Sequence, residues 1–356
     1  MQIKPLIAAV KAGFADLAVL ATAVVTLGIL SAAKPAIAEK DLKFDTWLTD
    51  LRTEAEQNGV SAEILDAALN GIRPLPRVIE LDRKQPEFTM TFAEYLGKVV
   101  PESRARKGRK KFAENRELLE KIGTQYGVQP RFIVAFWGIE TNFGRHTGGF
   151  SVVNALATLA YDGRRSAYFR KELHNALQIL NEGHIAPDEM KGSWAGAMGQ
   201  CQFMPSSFLN FAVDNNDDGR RDIWTTKADV FASAANYLAQ SGWQGDQTWG
   251  RRVTLPEGFD TGLANLDIIK PLSEWQNLGV RRIDSTDLPT RQLSASLVLP
   301  GGETAPEGVG DSKAGWAGGS RAAFLVYDNY RATLKWNRST FFAMAVGHLA
   351  DAIGHR

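Results

Sequence analysis

The stretch RFIVAFWGIETNFG, residues 131–144, places one carboxylate near the end of an apolar helical pattern. Residues three, four and seven positions apart share a helix face, so Ile133, Phe136 and Trp137 lie on the same face as Glu140. A carboxyl group on an apolar face loses hydration, which raises its pKa and keeps it protonated near neutral pH, as a general acid requires. The pattern therefore predicts either a catalytic glutamate or a structural one satisfied by backbone or arginine.

Composition argues against one class of protein. The chain has 356 residues and a formal net charge of +1. Nucleic-acid-binding domains usually carry a strong basic excess, so DNA and RNA are not expected partners. The length is ample for a buried core. Cys201 is the only cysteine, so an intrachain disulfide is excluded and the fold must depend on that core.

Residues 1–38 have the pattern of a secretory signal. Lys4 and Lys11 precede an apolar run at 17–33, and the sequence AIA at 36–38 fits a cleavage site. The run is long for a signal, so a retained membrane anchor is the alternative. Both readings predict export to the periplasm, as a soluble protein after cleavage or as a tethered one.

The rest of the chain predicts an α+β fold that is predominantly α. Helical spacing dominates residues 39–125 and 126–248. Residues 249–328 contain strand-like segments between Gly- and Pro-rich turns, and helical spacing returns at 329–356. We expect an N-terminal helical domain, a helical catalytic core, a small β-rich subdomain and a C-terminal segment that packs back onto the core.

A candidate saccharide site lies at residues 192–211, GSWAGAMGQCQFMPSSFLNF. Its small residues would let a ligand approach the backbone. Gln202 could then bind hydroxyl or acetamido groups, and Phe203 and Met204 could contact a sugar ring. Gly-rich turns also precede many helices without any ligand.

Arg164 and Arg165 follow a break in the helical spacing at Asp162 and Gly163. Such arginines most often solvate the start of a helix. Because guanidinium groups bind carboxylates in a bidentate geometry, the pair is also a candidate for fixing an anionic substituent.

The sequence DNNDDGRRD at 214–222 matches the first half of a calcium-binding loop. The second half does not match, because Thr225 stands where a bidentate glutamate is expected and two arginines add positive charge. A metal-free turn held by Asx hydrogen bonds is therefore the favoured interpretation. The candidate ligands are Asp214, Asn216, Asp218, Arg220 and Asp229.

Five separated blocks resemble the exported lytic murein transglycosylases of the transglycosylase B type. The blocks are QPEF at 85–88, WGIETNFG at 137–144, NALATLAYDGRRSAYF at 154–169, GAMGQCQFMPSS at 196–207 and WNRSTFFAMAVGHLAD at 336–351. The resemblance covers nearly the whole mature chain. It implies a lysozyme-like core with a helical domain and a small β domain, and no required cofactor.

The resemblance also implies roles for single residues. Glu140 stands where the family has its sole catalytic acid and base. Ser193 and Asn337 resemble the polar groups that orient the glutamate and the reacting sugar, and Gln202 resembles a contact to an N-acetyl sugar. Trp336 stands where tyrosine is frequent, and Gln200-Cys201 replaces a usual Tyr-Gly pair, so the sugar subsites differ in detail.

The implied reaction needs only one carboxylate. Ordinary glycosidases use two. Here Glu140 would protonate the glycosidic oxygen and then take the proton of the C6 hydroxyl of N-acetylmuramic acid, which attacks C1 and closes a 1,6-anhydro ring. The expected partners are peptidoglycan glycan strands and proteins of cell-wall synthesis or remodelling.

Three other functions stay open at this point. A hydrolytic muramidase would use Asp162 or Asp188 as a second acid. A cell-wall peptidase would use Cys201 as its nucleophile with a histidine base. A non-catalytic glycan-binding protein would need only the aromatic residues and Gln202.

Overall fold

The structure, a computed structural model, describes residues 34–84, 90–301 and 322–354. Residues 1–33 of the predicted signal and the block at 85–88 lie outside these ranges. Contacts divide the chain into two units, Met1–Lys43 and Phe44–Arg356, and all sites discussed below belong to the second. Within the described ranges, no helix combines the length and the apolar character needed to cross a membrane.

Helices dominate the described residues, as the sequence pattern predicts. In chain order they are α1 (Lys34–Gln57), α2 (Ala62–Leu69), α3 (Pro76–Arg83), α4 (Phe92–Val99), α5 (Glu102–Glu114), α6 (Arg116–Tyr126), α7 (Pro130–Thr141), α8 (Val152–Asp162), α9 (Ser166–Asn181), α10 (Pro205–Phe211), α11 (Lys227–Gln240), α12 (Leu272–Asn277), α13 (Asp328–Trp336) and α14 (Thr340–Gly354). The strands are β1 (Phe150–Ser151), β2 (Lys191–Gly192), β3 (Gly250–Thr254), β4 (Lys270–Pro271), β5 (Arg281–Arg282), β6 (Ser294–Val298) and β7 (Ala323–Val326).

The predicted β-rich region forms one antiparallel sheet with the strand order β4-β6-β7-β3-β5. Its central strands place apolar residues in register: Leu297 of β6 pairs with Leu325 of β7, and Val253 of β3 pairs with Ala323. The buried indole of Trp275 in α12 joins these residues in a small apolar cluster. The sheet therefore has a core of its own beside the main helical core.

One helix boundary differs from the sequence expectation. The apolar spacing predicts a single helix over residues 111–126, but α5 ends at Glu114 and α6 begins at Arg116. The side chain of Asn115 donates to the carbonyl oxygen of Lys111 at 2.7 Å. An asparagine that takes over a backbone hydrogen bond in this way competes with the regular helix. The helix that carries the basic sequence SRARKGRKK at 103–111 therefore ends before α6 begins.

Helix α7, which carries Glu140, contacts α5, α6, α11 and α14. Pro130 occupies its first turn, where the missing N–H has no intrahelical partner to lose. The helix ends at Thr141 and is capped by Asn142, whose φ of 51° is in the left-handed region common after helix ends. At Gly138 a Cβ atom would lie 2.8 Å from the ring of Phe143 and 3.1 Å from Leu349 of α14. The glycine therefore makes room both for the Phe143 ring and for α14 against the helix that carries the acid.

The β-rich region leaves the helical body at Trp249 and returns at Tyr327. The amide of Tyr327 donates to the carbonyl oxygen of Trp249 at 3.0 Å, which joins the entry of this region to its exit. The indole N–H of Trp249 donates to Asp351 of α14 at 2.9 Å. These contacts bring α13 and α14 back onto the helical body. Because Phe44–Arg356 forms one compact unit, the three expected boundaries within it, after residues 125, 248 and 328, stay predictions about its substructure. The expected signal boundary after residue 38 lies outside this unit and also stays a prediction.

Candidate active site

Glu140 is half-buried beside a small cavity of about 10 Å³. A space of that size holds about one water molecule. The residues that line it are Ile133, Phe136, Trp137, Glu140, Gln200, Cys201, Val230, Phe231, Ala234 and Trp336. The three apolar residues that helical spacing places beside Glu140 are among them. Glu140 is the only carboxylate in this lining, as far as the structure describes the chain.

Burial raises the pKa of Glu140 from 4.5 to about 7. The apolar surroundings disfavour the charged form, which is the main cause. A hydrogen bond from Trp336 Nε1 to Glu140 Oε1, 2.8 Å long, acts in the opposite direction because it stabilises the carboxylate. At neutral pH the group is therefore poised to give or to accept a proton, as the apolar pattern of the sequence predicts.

Aromatic rings hold the indole of Trp336 in place. Its ring centroid lies 4.6 Å from that of Phe136, 4.7 Å from that of Tyr237 and 5.2 Å from that of Phe203. The hydroxyl of Tyr237 donates to the carbonyl oxygen of Lys335 at 2.7 Å, which ties α11 to the end of α13. The donor to Glu140 is therefore fixed by packing on several sides. Sequence reasoning did not single out Tyr237.

Gln200 braces the end of α7. Its side chain accepts from Trp137 Nε1 at 2.7 Å and donates to the carbonyl oxygen of Trp224 at 2.8 Å. The backbone carbonyl oxygen of Gln200 accepts a hydrogen bond from the hydroxyl of Thr141 at 3.1 Å. The same hydroxyl accepts one from the backbone amide of Gly144 at 3.0 Å. These contacts fix the turn that follows Glu140. The only signal for Gln200 in the sequence was its departure, together with Cys201, from the pattern of the family.

Ser193 and Asn337 hold local turns. Ser193 Oγ accepts from the amide of Ala197 at 3.0 Å. Asn337, directly after α13, accepts at Oδ1 from the amide of Ser339 at 3.0 Å. Their predicted role in orienting Glu140 and a sugar stays a prediction.

The three predicted sugar contacts have different surroundings. Gln202 Nε2 donates to the carbonyl oxygens of Gly199 at 2.9 Å and Thr147 at 3.1 Å. Its φ of 51° is uncommon for a residue with a long side chain, and these bonds help to hold it. Phe203 is buried in the aromatic group described above, whereas Met204 is partly buried at the start of α10. Contact of these residues with a sugar stays a prediction.

Arg164 and Arg165 both bind Asp82. Arg164 Nε lies 2.6 Å from Asp82 Oδ2, and Arg165 Nη2 lies 2.6 Å from Asp82 Oδ1. The hydrogen bond from Arg164 is the main reason that the pKa of Asp82 lies below its usual value. The arginine side chains remain 53% and 46% exposed, so their outer sides are open to solvent.

The two aspartates considered as a second acid do not line the cavity of Glu140. Asp162 pairs with Arg83 at 2.9 Å. Asp188 is exposed on a turn after α9. Neither position supports the two-carboxylate arrangement of a hydrolase.

Cys201 is buried, and its thiol donates to the carbonyl oxygen of Val230 at 3.2 Å. Burial raises the pKa of this thiol well above its usual value, and the nearby charge of Glu140 acts in the same direction. A nucleophilic cysteine needs a lowered pKa. The surroundings of Cys201 therefore favour a packing role.

The first half of the candidate calcium loop is held by its own hydrogen bonds. Asp214 Oδ2 accepts from the amide of Gly219 at 2.7 Å. Asn216 Nδ2 donates to Asp218 Oδ2 at 3.0 Å, and Asp218 Oδ1 accepts from the amide of Arg220 at 2.9 Å. These are the Asx-type bonds of a metal-free turn.

Asp229 is buried and uses both carboxylate oxygens as backbone acceptors. They accept from the amides of Asn215 and Asp222, each at 2.8 Å. Within the described ranges, no three His, Cys, Asp or Glu side chains are grouped closely enough to hold a metal ion. Calcium also accepts amide and backbone carbonyl oxygens, so the role of these residues as its ligands stays a prediction.

The predominantly helical fold and the one carboxylate that lines this cavity define a lysozyme-like, glycan-cleaving enzyme. Residues 43–351 match the family described as Transglycosylase SLT domain, and the chain belongs to this family. It is an enzyme, a peptidoglycan lytic transglycosylase.

Known relatives agree with this assignment. The chain is 30% identical over 319 residues to the membrane-bound lytic murein transglycosylase B of Escherichia coli K12, across 83% of this chain and 79% of that protein. It resembles Pseudomonas aeruginosa SltB3 in complex with NAG-anhNAM-pentapeptide, with 43% identity, a TM-score of 0.80, and coverage of 87% of this chain and 79% of that one. The Escherichia coli lytic transglycosylase Slt35 in complex with calcium shares 28% identity, with a TM-score of 0.68 and coverage of 85% and 90%. The family, enzyme class and lysozyme-like fold expected from sequence are confirmed.

Proposed function

We propose that Glu140 is the sole acid and base of the transglycosylase reaction. The observation that carries this proposal is a pKa of about 7 on the one carboxylate of the cavity. A catalytic group works best when its pKa lies near the working pH, because it must hold a proton in one step and accept one in the next.

The reaction starts on the β-1,4 bond between N-acetylmuramic acid and N-acetylglucosamine in glycan strands. Protonated Glu140 gives its proton to the glycosidic oxygen, and the bond from C1 to that oxygen breaks with its electron pair on the oxygen. The carboxylate then takes the proton of the C6 hydroxyl, and the C6 oxygen bonds to C1. The 1,6-anhydro ring closes without water, and Glu140 regains its proton. The similarity to SltB3, solved with an anhydro-sugar ligand, supports this product.

Other residues have proposed supporting roles. Ser193 and Asn337 orient the sugar near Glu140, and Gln202 binds an N-acetyl group. Their side chains already hold neighbouring amides or carbonyls in place, so each would act from a fixed position. Arg164 and Arg165 would bind an anionic substituent through their exposed sides.

We further propose export to the periplasm, with or without a retained tether, and partners among proteins of cell-wall synthesis or remodelling. The apolar run at 17–33 and the relative described as membrane-bound support export. The proposed chemistry needs no calcium, because both proton transfers are carried out by Glu140.

Digestion of purified sacculi followed by mass spectrometry tests the proposed function. The parent protein should release fragments with 1,6-anhydro ends, each one water lighter than the hydrolytic product. Glu140→Gln should fold but release none, whereas the exposed substitution Glu189→Gln should behave as the parent. Reducing ends from the parent would indicate a muramidase, and full activity in Glu140→Gln would remove the glutamate from the mechanism.

A further inference from the structure

The hydrogen bond between Trp336 and Glu140 makes the two carboxyl oxygens unequal. An indole N–H can donate a hydrogen bond but cannot accept one. Its contact with Oε1 is therefore strongest when Oε1 carries no proton. In neutral Glu140 this places the proton on Oε2. A tyrosine hydroxyl could both donate and accept, so it would not enforce the same choice.

The indole has little freedom to give up this contact. Rings of Phe136, Phe203 and Tyr237 surround it at centroid distances between 4.6 and 5.2 Å. Trp336 is also the last residue of α13, and the carbonyl oxygen before it is bound by the Tyr237 hydroxyl. Movement of the ring would break contacts with both α7 and α11. The donor therefore keeps its place whether Glu140 is charged or neutral.

We propose that Trp336 is a positioning residue that reserves Oε1 as an acceptor, so that Oε2 alone performs both proton transfers. This inference rests on the proposed function of Glu140. In the first transfer the proton leaves Oε2 for the glycosidic oxygen as the bond from that oxygen to C1 breaks. In the second, Oε2 takes the proton of the C6 hydroxyl as the C6 oxygen bonds to C1. The two sugar oxygens must therefore approach the same carboxyl oxygen one after the other.

A signal from the indole tests the contact without relying on turnover. In protein labelled with ¹⁵N at tryptophan, the Trp336 indole resonance is assigned by its loss in Trp336→Phe. The chemical shift of this resonance should change with pH around a midpoint near 7, as Glu140 loses its proton. In Glu140→Gln the amide oxygen can still accept the N–H, so the resonance should remain but no longer titrate. A Trp336 resonance unchanged between about pH 5 and pH 9 would overturn the proposal.

The pH dependence of anhydro-product formation provides the second readout. Trp336→Phe keeps an aromatic ring but removes the donor that favours the carboxylate. The limb of the profile that needs protonated Glu140 should shift upward by about one pH unit, because a hydrogen bond to a charged group has about that effect. Slower turnover is also expected, because Oε1 is no longer held.

Trp243→Phe is the matched control. Trp243 is a buried indole that donates to Gln129 Oε1 at 2.8 Å and does not line the cavity of Glu140. Trp243→Phe should have the same pH dependence of anhydro-product formation as the parent. Equal profiles for Trp336→Phe and the parent would refute the role of Trp336. Absence of anhydro product from the parent would instead refute the proposed function, and the indole titration would still report on the contact.

Discussion

Burial of Glu140 should reduce the stability of the folded protein at neutral and alkaline pH. Its pKa rises from 4.5 to about 7 on folding, and each pKa unit corresponds to about 1.4 kcal/mol. The folded state holds the proton more tightly than the unfolded state, so this group favours folding less as pH rises from 4.5 to 7. The total loss is about 3 kcal/mol, complete above pH 7. Glu140→Gln replaces the titrating carboxyl group with a neutral amide, whose oxygen can still accept the hydrogen bond from Trp336 Nε1.

The assay is denaturant unfolding of the parent and of Glu140→Gln between about pH 4 and pH 9. The free energies of unfolding should nearly agree at pH 4, where both side chains are neutral, and the variant should be more stable by about 3 kcal/mol at pH 8. Taking the difference at each pH removes the other titrating groups, which both proteins share. Glu189→Gln, at an exposed position, should give a difference near zero throughout.

A constant difference between the parent and Glu140→Gln across this range would refute the reasoning. It would mean that the pKa of Glu140 is the same in the folded and unfolded states. The acid would then be ionised at neutral pH, and the explanation of the first proton transfer would fail with it.

Four further predictions concern other parts of the molecule. Burial lowers the pKa of His348 from 6.5 to about 4, so the unfolded state binds a proton more readily than the folded state. As pH falls from 6.5 to 4, denaturant unfolding should show that the parent loses about 3 kcal/mol of free energy of unfolding relative to His348→Gln. Asp82→Asn should lower the free energy of unfolding at pH 7 by about 2 kcal/mol, since it leaves two half-exposed arginines without their carboxylate. An unchanged free energy of unfolding would show that the ion pairs of Asp82 contribute no net stability. Cys201→Ala should retain anhydro-product formation, because the thiol is protonated and packed; loss of product in a folded variant would give the thiol a part in the reaction. Calcium added after chelation should leave Tm unchanged, because the loop carboxylates are occupied by amides; a rise in Tm with calcium concentration would reveal a site that forms on binding.

Local features of this protein follow from its sequence. Helical spacing alone places Ile133, Phe136 and Trp137 beside Glu140, and the structure shows them lining one cavity. The direction of the pKa shift of the glutamate is predicted by the same spacing, because an apolar face disfavours the charged form. The rest of its burial comes from distant segments, including Phe231 and Trp336.

Contacts between distant segments do not follow from such patterns. Trp336 lies 196 positions after Glu140, and Arg164 lies 82 positions after Asp82. Nothing in local spacing indicates which of many carboxylates a given arginine or indole will meet. The break at Asn115 was missed for another reason: one side-chain hydrogen bond decides it, and the apolar spacing continues across it.

The separation of 196 positions between the acid and its indole partner also sets an order in time. While the chain is being made, the helix with Glu140 is complete long before α13 and α14 exist. Until those last helices dock, the glutamate lacks both the donor that orients it and the ring that helps to dehydrate it. Biosynthesis thus delays full proton-transfer ability until the C-terminal helices have folded, so an unfinished chain carries the catalytic residue without its working environment.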